Sequence, residues 1–197
     1  MTTAETTAGL FPHIRIVMGM VVGLGISKLL TGFAGLVQHP GRYRLSVVHL
    51  LWAGSILIEL VLFWWWEFAL SKLPEWNFGT FLFLIIYTIT LFLMAALLFP
   101  ERIDEYGGYE AYLMRRRYWF FGLLGATFVL DTIDTMIKGV DYWSHLSVDF
   151  VIQIPFGIAL CIIACATTRT RIHLILALVH IGYQAYWMWR LLPVTLA

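Results

Sequence analysis

Long apolar runs, broken at short intervals by polar punctuation, make up most of the chain. About 20 apolar residues carry a helix across roughly 30 Å of hydrocarbon, and the runs at 14–37, 45–66, 78–99, 117–138, 147–168 and 171–192 reach that length. The pattern predicts an all-α fold, a polytopic membrane bundle of six transmembrane helices forming a single domain over 1–197. Each break has a chemical cause. "QHPGRYR" and "LFPERIDEYGG" combine proline, glycine and charge, "SKLPEWN" holds a proline turn, and "GVDYWSH" and "TTRTR" are short and polar. Aromatic residues crowd the borders, as membrane interfaces favour: Trp64, Trp65 and Trp66 close helix two, Trp76 opens the return, Tyr118 and Trp119 begin helix four, and Trp187 and Trp189 end helix six.

Polar residues inside these runs recur on helical faces. Helix four carries Thr127, Asp131, Asp134, Thr135 and Lys138 at spacings of three and four, helix two carries Trp52, Ser55 and Glu59, and helix six carries His173, Ala177, His180, Gln184 and Trp187. An ionisable group at the centre of a membrane helix costs roughly 2.5–3.5 kcal/mol, so these stripes are expected to face the bundle interior. Glu59 and Asp131 each lie about 14 residues, roughly 21 Å, beyond the start of their helices. Asp134 lies one turn further out, and helix five returns Asp149 and Gln153 to the same layer, so an acidic vestibule is expected there. Lys28, in helix one, is expected to pair with Glu59 or Asp131, either as a lock between helices or as a counter-ion released when a cation or proton binds, or else to snorkel to an interface. The candidate pathway is therefore Lys28, Glu59, Asp131, Asp134, Gln153, His180 and Gln184, with Asp134 also at i, i+4 from Lys138.

Helix one has a ridge of small residues instead, Gly19, Gly23, Ser27, Thr31 and Gly35, at every fourth position. Such ridges let helix backbones approach closely, within one chain or between copies, so helix packing and a homo-oligomer are both consistent with it. Asp134, His145 and Asp149 form a candidate metal set, since imidazole and carboxylate suit Zn, Mn or Fe. His173 and His180 share a face, with His49 as the opposing residue a haem would need. Nothing in the chain calls for a cofactor. There is no phosphate-binding glycine loop, no His-Glu-x-x-His helix and no nucleophile elbow, so an enzyme is not the expected class.

Composition sharpens the class. Hydrophobic residues make up 60% of the 197 and charged residues 13%, and the mean hydropathy of +0.81 lies well outside the soluble range. The expected partners are the lipid bilayer and a small cation or proton. A net charge of +1 gives no basic surface for nucleic acid. Cys161 and Cys165, one turn apart in one apolar run, read as packing residues. The start, "MTTAETTAGLFPHIR", has no basic region or cleavage site of a signal peptide, so the first apolar run is expected to stay in the mature protein. Arg42, Arg44, Arg102, Arg115, Arg116, Arg117, Arg169 and Arg171 follow helices one, three and five, against Arg15, Lys72, Lys138 and Arg190 on the other side. The positive-inside rule then predicts both termini in the periplasm and the 100–117 loop in the cytoplasm. Within that loop Tyr106, Tyr109 and Tyr112 recur every third residue, suggesting a short interfacial helix or a docking site for a partner. "RLSVVH" at 44–49 echoes "HLSVDF" at 145–150, an offset that would make two inverted three-helix halves.

"GLVQHPGRYRLSVVHLLW", "FWWWEF", "LLFPERIDEYGGYEAYLMRRR" and the Asp131 segment together resemble a group of small six-helix bacterial integral membrane proteins. The likeness runs over most of the chain. It implies a multi-pass protein of the bacterial inner membrane, and it carries no activity and no site residues with it. The function expected from the residues is a transporter or channel that moves protons or small cations through a carboxylate-lined interior. The alternative is a non-catalytic sensor or scaffold subunit that self-associates or docks a partner through the 100–117 loop.

Overall fold

Ser46 and Asn77 each turn a side-chain oxygen back to the backbone N–H three residues ahead, at 3.3 Å to His49 N and 2.9 Å to Thr80 N, and so cap the helices that follow. Glycine sets two further boundaries. Gly107 and Gly108 have φ of 74° and 131°, and Gly139 has 112°, values that L side chains adopt at a cost, so the chain reverses there and new helices start at Tyr109 and Val140.

The computed structural model describes residues 10–39, 41, 44–73 and 75–191, with the backbone alone for 10, 140–150 and 191. Among the described residues there are six α-helices and no strand: α1 (Leu10–Gln38), α2 (Val47–Trp66), α3 (Phe78–Leu98), α4 (Tyr109–Ile137), α5 (Val140–Ala166) and α6 (Thr170–Leu191). Short 3-10 turns at Glu67–Lys72 and Asp104–Tyr106 join them. Four helical stretches are long and apolar enough to cross a membrane: α1, α2 with its 3-10 turn, α3 and α4. The described apolar run of α5 is shorter, Val151–Ala166, and α6 mixes Arg171, His173, His180, Gln184 and Arg190 into its length.

α4 starts well before the expected residue 117, because Tyr109, Tyr112 and Leu113 are buried and extend its inward face by two turns. The connection therefore shrinks to residues 99–108, Arg115, Arg116 and Arg117 lie on the helix, and the expected tyrosine helix is divided between a 3-10 turn and α4. Arg116 Nη2 donates to Tyr106 OH at 2.8 Å, which holds the short connection against the helix.

α2 is the hub, packed against α1, α3, α4 and α6, and Trp52, Ala53, Ile56 and Leu60 along it are wholly buried. The halves of the chain do not pack alike. α1 lies chiefly against α3, whereas α4 lies chiefly against α5 and makes no comparable contact with α6 among the described residues. Large apolar side chains cover the outside, among them Met20, Leu24, Ile86, Val151, Ile152 and Ile175, while acids, histidines and glutamines turn inward. That inverted arrangement suits an apolar solvent.

The face of α1 that packs is not the expected ridge. An added Cβ would meet Leu60 at 3.3 Å from Gly25 and collide with the Phe99 ring from Gly32. Of the ridge residues, Gly19 backs onto Trp64 at 2.8 Å, while Gly23 and Gly35 have nothing within 4 Å and Ser27 and Thr31 are exposed.

Candidate functional site

Ser55 and Glu59, one turn apart on α2, face His180 and Gln184, one turn apart on α6, and the four side chains form a directed chain of hydrogen bonds. Ser55 Oγ donates to Gln184 Oε1 at 3.1 Å, which leaves it to accept from His180 Nδ1 at 2.7 Å. Gln184 Nε2 then donates to Glu59 Oε2 at 2.8 Å and to the Ser55 carbonyl at 3.0 Å. Both amide hydrogens find oxygen, which fixes the orientation of the amide. On the other side of the same space, Gln153 Nε2 of α5 donates to Asp131 Oδ2 of α4 at 3.3 Å.

Further toward that end of the bundle, Lys138 holds two carboxylates at once. Its Nζ lies 3.0 Å from Glu67 Oε1 and forms a second ion pair with Asp134 Oδ2, and the three side chains are 2–4% exposed. Lys138 thus holds Glu67 and Asp134, while Glu59 and Asp131, each bonded to a glutamine amide, lie in the same interior region.

Between Glu59 and Asp131 lies a cavity of about 20 Å³, lined also by Trp66, Phe128, Tyr183 and Trp187. A neighbouring cavity of about 10 Å³ shares Phe128, Gln153, His180 and Tyr183 with it. Trp187 Nε1 and Gln153 Oε1 are buried here without a partner.

Inward of His180 the polar residues give way to an aromatic layer. Trp52, Phe120 and Phe121 are at most 1% exposed, with ring centroids 5.0–5.5 Å apart. Trp52 packs on His180 at 5.4 Å and Phe121 on His173 at 5.4 Å, so the layer separates the two histidines. Beyond it, His173 Nε2 donates to the Thr167 carbonyl at 3.0 Å and His49 Nε2 to the Leu98 carbonyl at 2.6 Å. Glu110 ties that end together, accepting from Ser46 Oγ at 3.4 Å and from Thr170 Oγ1 at 2.6 Å. Arg117 Nε donates to the Cys165 carbonyl at 2.9 Å and so closes the end of α5.

Six of the seven pathway residues read from the sequence, Glu59, Asp131, Asp134, Gln153, His180 and Gln184, belong to this region. Lys28 does not join them. It is half-buried on α1 and makes no ion pair with Glu59 or Asp131; the ion-paired interior cation is Lys138, and its partners are Glu67 and Asp134. The side chains of His145 and Asp149 lie outside the described residues, and Asp134 is engaged by Lys138. Among the described residues no group of three or more His, Cys, Asp or Glu has metal-holding geometry. The histidines set against one another for haem are separated by function: His180 bonds to Ser55 and His49 to a helix-end carbonyl.

Glu67 is the residue that sequence reading missed. It follows Ser55, Glu59 and Phe63 at steps of four, a face that continues through the 3-10 turn after Trp66. No protein-family model, curated protein or solved structure matches the chain, so the function rests on this geometry.

Proposed function

We propose that the chain is a six-span integral membrane protein that moves protons or small cations through the bundle interior. The observation that carries this reading is the charge balance of the interior: among the described residues four inward carboxyl groups, Glu59, Glu67, Asp131 and Asp134, lie in one region, and Lys138 is ion-paired with only two of them, Glu67 and Asp134. Unbalanced carboxylates in an apolar interior are costly, and a bound proton or cation relieves the excess.

Two further features support it. α5 and α6 have 27 and 22 residues, and at 1.5 Å per residue both exceed the roughly 30 Å of a hydrocarbon core. The excess of arginine at the end of the bundle that holds Arg117 and Arg169 favours that end in the cytoplasm and both termini in the periplasm, in a bacterial inner membrane. A transported species enters at Glu67, Lys138 and Asp134, reaches Asp131 and Glu59, and passes by Gln184, Ser55 and His180 to the aromatic layer. With Trp52, Phe120 and Phe121 packed as they are, the path is closed on its inner side, as one state of a gated carrier or channel.

The test is flux into liposomes containing the purified protein, driven by a potassium gradient with valinomycin. Asp131→Asn and Glu59→Gln should each abolish flux while leaving helix content unchanged. Unchanged flux in both variants rejects the mechanism.

A second reading, a sensor or scaffold that self-associates, is favoured by the outward position of Gly23, Ser27 and Thr31 on α1. It expects Gly23→Leu to change the oligomeric state of the purified protein, with no flux above empty liposomes in any variant.

A further inference from the structure

We propose that the cavity between Glu59 and Asp131 holds an ordered water molecule, and that the species accepted there is a proton carried by that water and the two carboxyl groups, not a dehydrated metal cation. This rests on the transport reading above and names its substrate.

The first argument is size. The cavity of about 20 Å³ exceeds the roughly 10–15 Å³ that one water needs. The adjoining space of about 10 Å³ falls at that threshold and leaves no room for a hydrated ion.

The second argument is the chemistry of the wall. Trp187 is 8% exposed and its indole N–H, which can only donate, has no partner. Gln153 Oε1, which can only accept, has none either, and both residues line the cavity. A water molecule satisfies the two together, accepting from Trp187 Nε1 and donating to Gln153 Oε1, with its second hydrogen left for a carboxylate. Three hydrogen bonds are usual for a buried water.

The same groups argue against a metal. Hard cations such as Mg²⁺ and Ca²⁺ are held by about six or more oxygens, and the Trp187 N–H, a donor only, cannot ligate one. Each carboxyl here already receives an amide N–H, Glu59 from Gln184 at 2.8 Å and Asp131 from Gln153 at 3.3 Å. A proton needs no such shell. When a proton reaches the resident water and makes it hydronium, one of its O–H bonds breaks as an O–H bond forms on Asp131 or Glu59, and the same water is left in the cavity. Among the described residues the ionisable neighbours are Glu67 after α2, Tyr87 on α3, Asp134 on α4 with Lys138 at its end, and His180 and Tyr183 on α6, so the site lies between the ion-paired cluster and the histidine that ends the polar track.

The experiment measures two ions in the same proteoliposomes at one imposed voltage: protons, by an entrapped pH dye, and sodium, by ²²Na⁺ uptake. The expected result is proton flux, with sodium uptake no greater than in empty liposomes. Trp187→Phe keeps an aromatic ring and removes the N–H, and it should lower proton flux about ten-fold, in line with loss of one buried hydrogen bond. Gln153→Leu, which removes the acceptor, should act in the same direction and serves if the first variant folds poorly. Sodium uptake that disappears in Asp131→Asn, without proton flux, overturns the proton assignment and leaves the transport reading standing. Proton flux unaltered in both Trp187→Phe and Gln153→Leu overturns the role of the water. Absence of both fluxes rejects the transport reading, and this assignment with it.

Discussion

Lys138 neutralises one of two carboxylates that share it, and with Glu67 and Asp134 it is sealed from solvent. Removing one partner of a buried ion pair leaves an uncompensated charge and costs about 3–5 kcal/mol. Lys138→Met should therefore lower stability by about that amount, and adding Asp134→Asn to it should recover a large part; denaturant unfolding of the protein in detergent micelles measures both. At this scale the sequence was legible where partners lie on one helix. The i, i+4 spacing of Asp134 and Lys138 is enough to pair them. Glu67 was harder to read, because it follows three tryptophans at a helix end and resembles an interfacial acid, although its four-residue steps from Ser55 and Glu59 were visible. Lys28 went the opposite way. A cation in an apolar helix implies a partner, but which one depends on how α1 is rotated against α2, and no single residue states that rotation.

The rotation of α1 is a property of the element, and helical geometry explains it. A step of four residues advances about 400°, so a stripe at every fourth position turns about 40° per step and drifts by about 160° from Gly19 to Gly35. Met18, Val22, Gly25, Leu29 and Gly32 alternate steps of four and three, which keeps them on one side, and this is the side that packs. Within the chain, spacing of small residues therefore pointed to a stripe of which only Gly19 is closely packed. Gly32→Ala should destabilise the protein by about 1–3 kcal/mol, because the new methyl collides with the Phe99 ring. Gly23→Ala, with nothing within 4 Å, should be neutral or stabilise α1 by up to about 1 kcal/mol through helix propensity. Thermal unfolding of the two variants side by side checks the assignment, and equal losses would place the ridge in the core after all. The start of α4 carries a similar lesson. Its boundary is set by the reversal at Gly107 and Gly108, whereas apolarity alone begins the helix after the arginines.

For the whole molecule, the number of crossings turns on α5 and α6, whose polar content sets them apart from the first four helices. Their ends give a physical reason to count them. α5 begins beside Lys138, and its last turn is held by Arg117 through the Cys165 carbonyl at 2.9 Å. The next helix starts with Thr170 bonded to Glu110 at 2.6 Å. Glu110 and Arg117 belong to the first turns of α4 and Lys138 to its end, so α5 runs the length of the bundle and α6 returns along it. If α4 crosses the membrane, its antiparallel neighbour covers the same depth. Their polar residues are tolerated because His180, Gln184 and His173 are buried against α2 and α4 and Arg171 lies at the helix end. In the proposed orientation, six crossings would put the α5–α6 turn on the cytoplasmic side with the 99–108 connection, whereas four would leave it in the periplasm with Glu75. Thr168 is exposed in that turn and separates the two cases. In a background with Cys161 and Cys165 changed to alanine, Thr168→Cys should react with a membrane-impermeant maleimide only after the cells are permeabilised, while Glu75→Cys should react in intact cells. Labelling of both in intact cells would mean that α5 and α6 lie along the outer side. The Glu59–Asp131 cavity, which α5 and α6 help to close, would then lose its place inside the membrane.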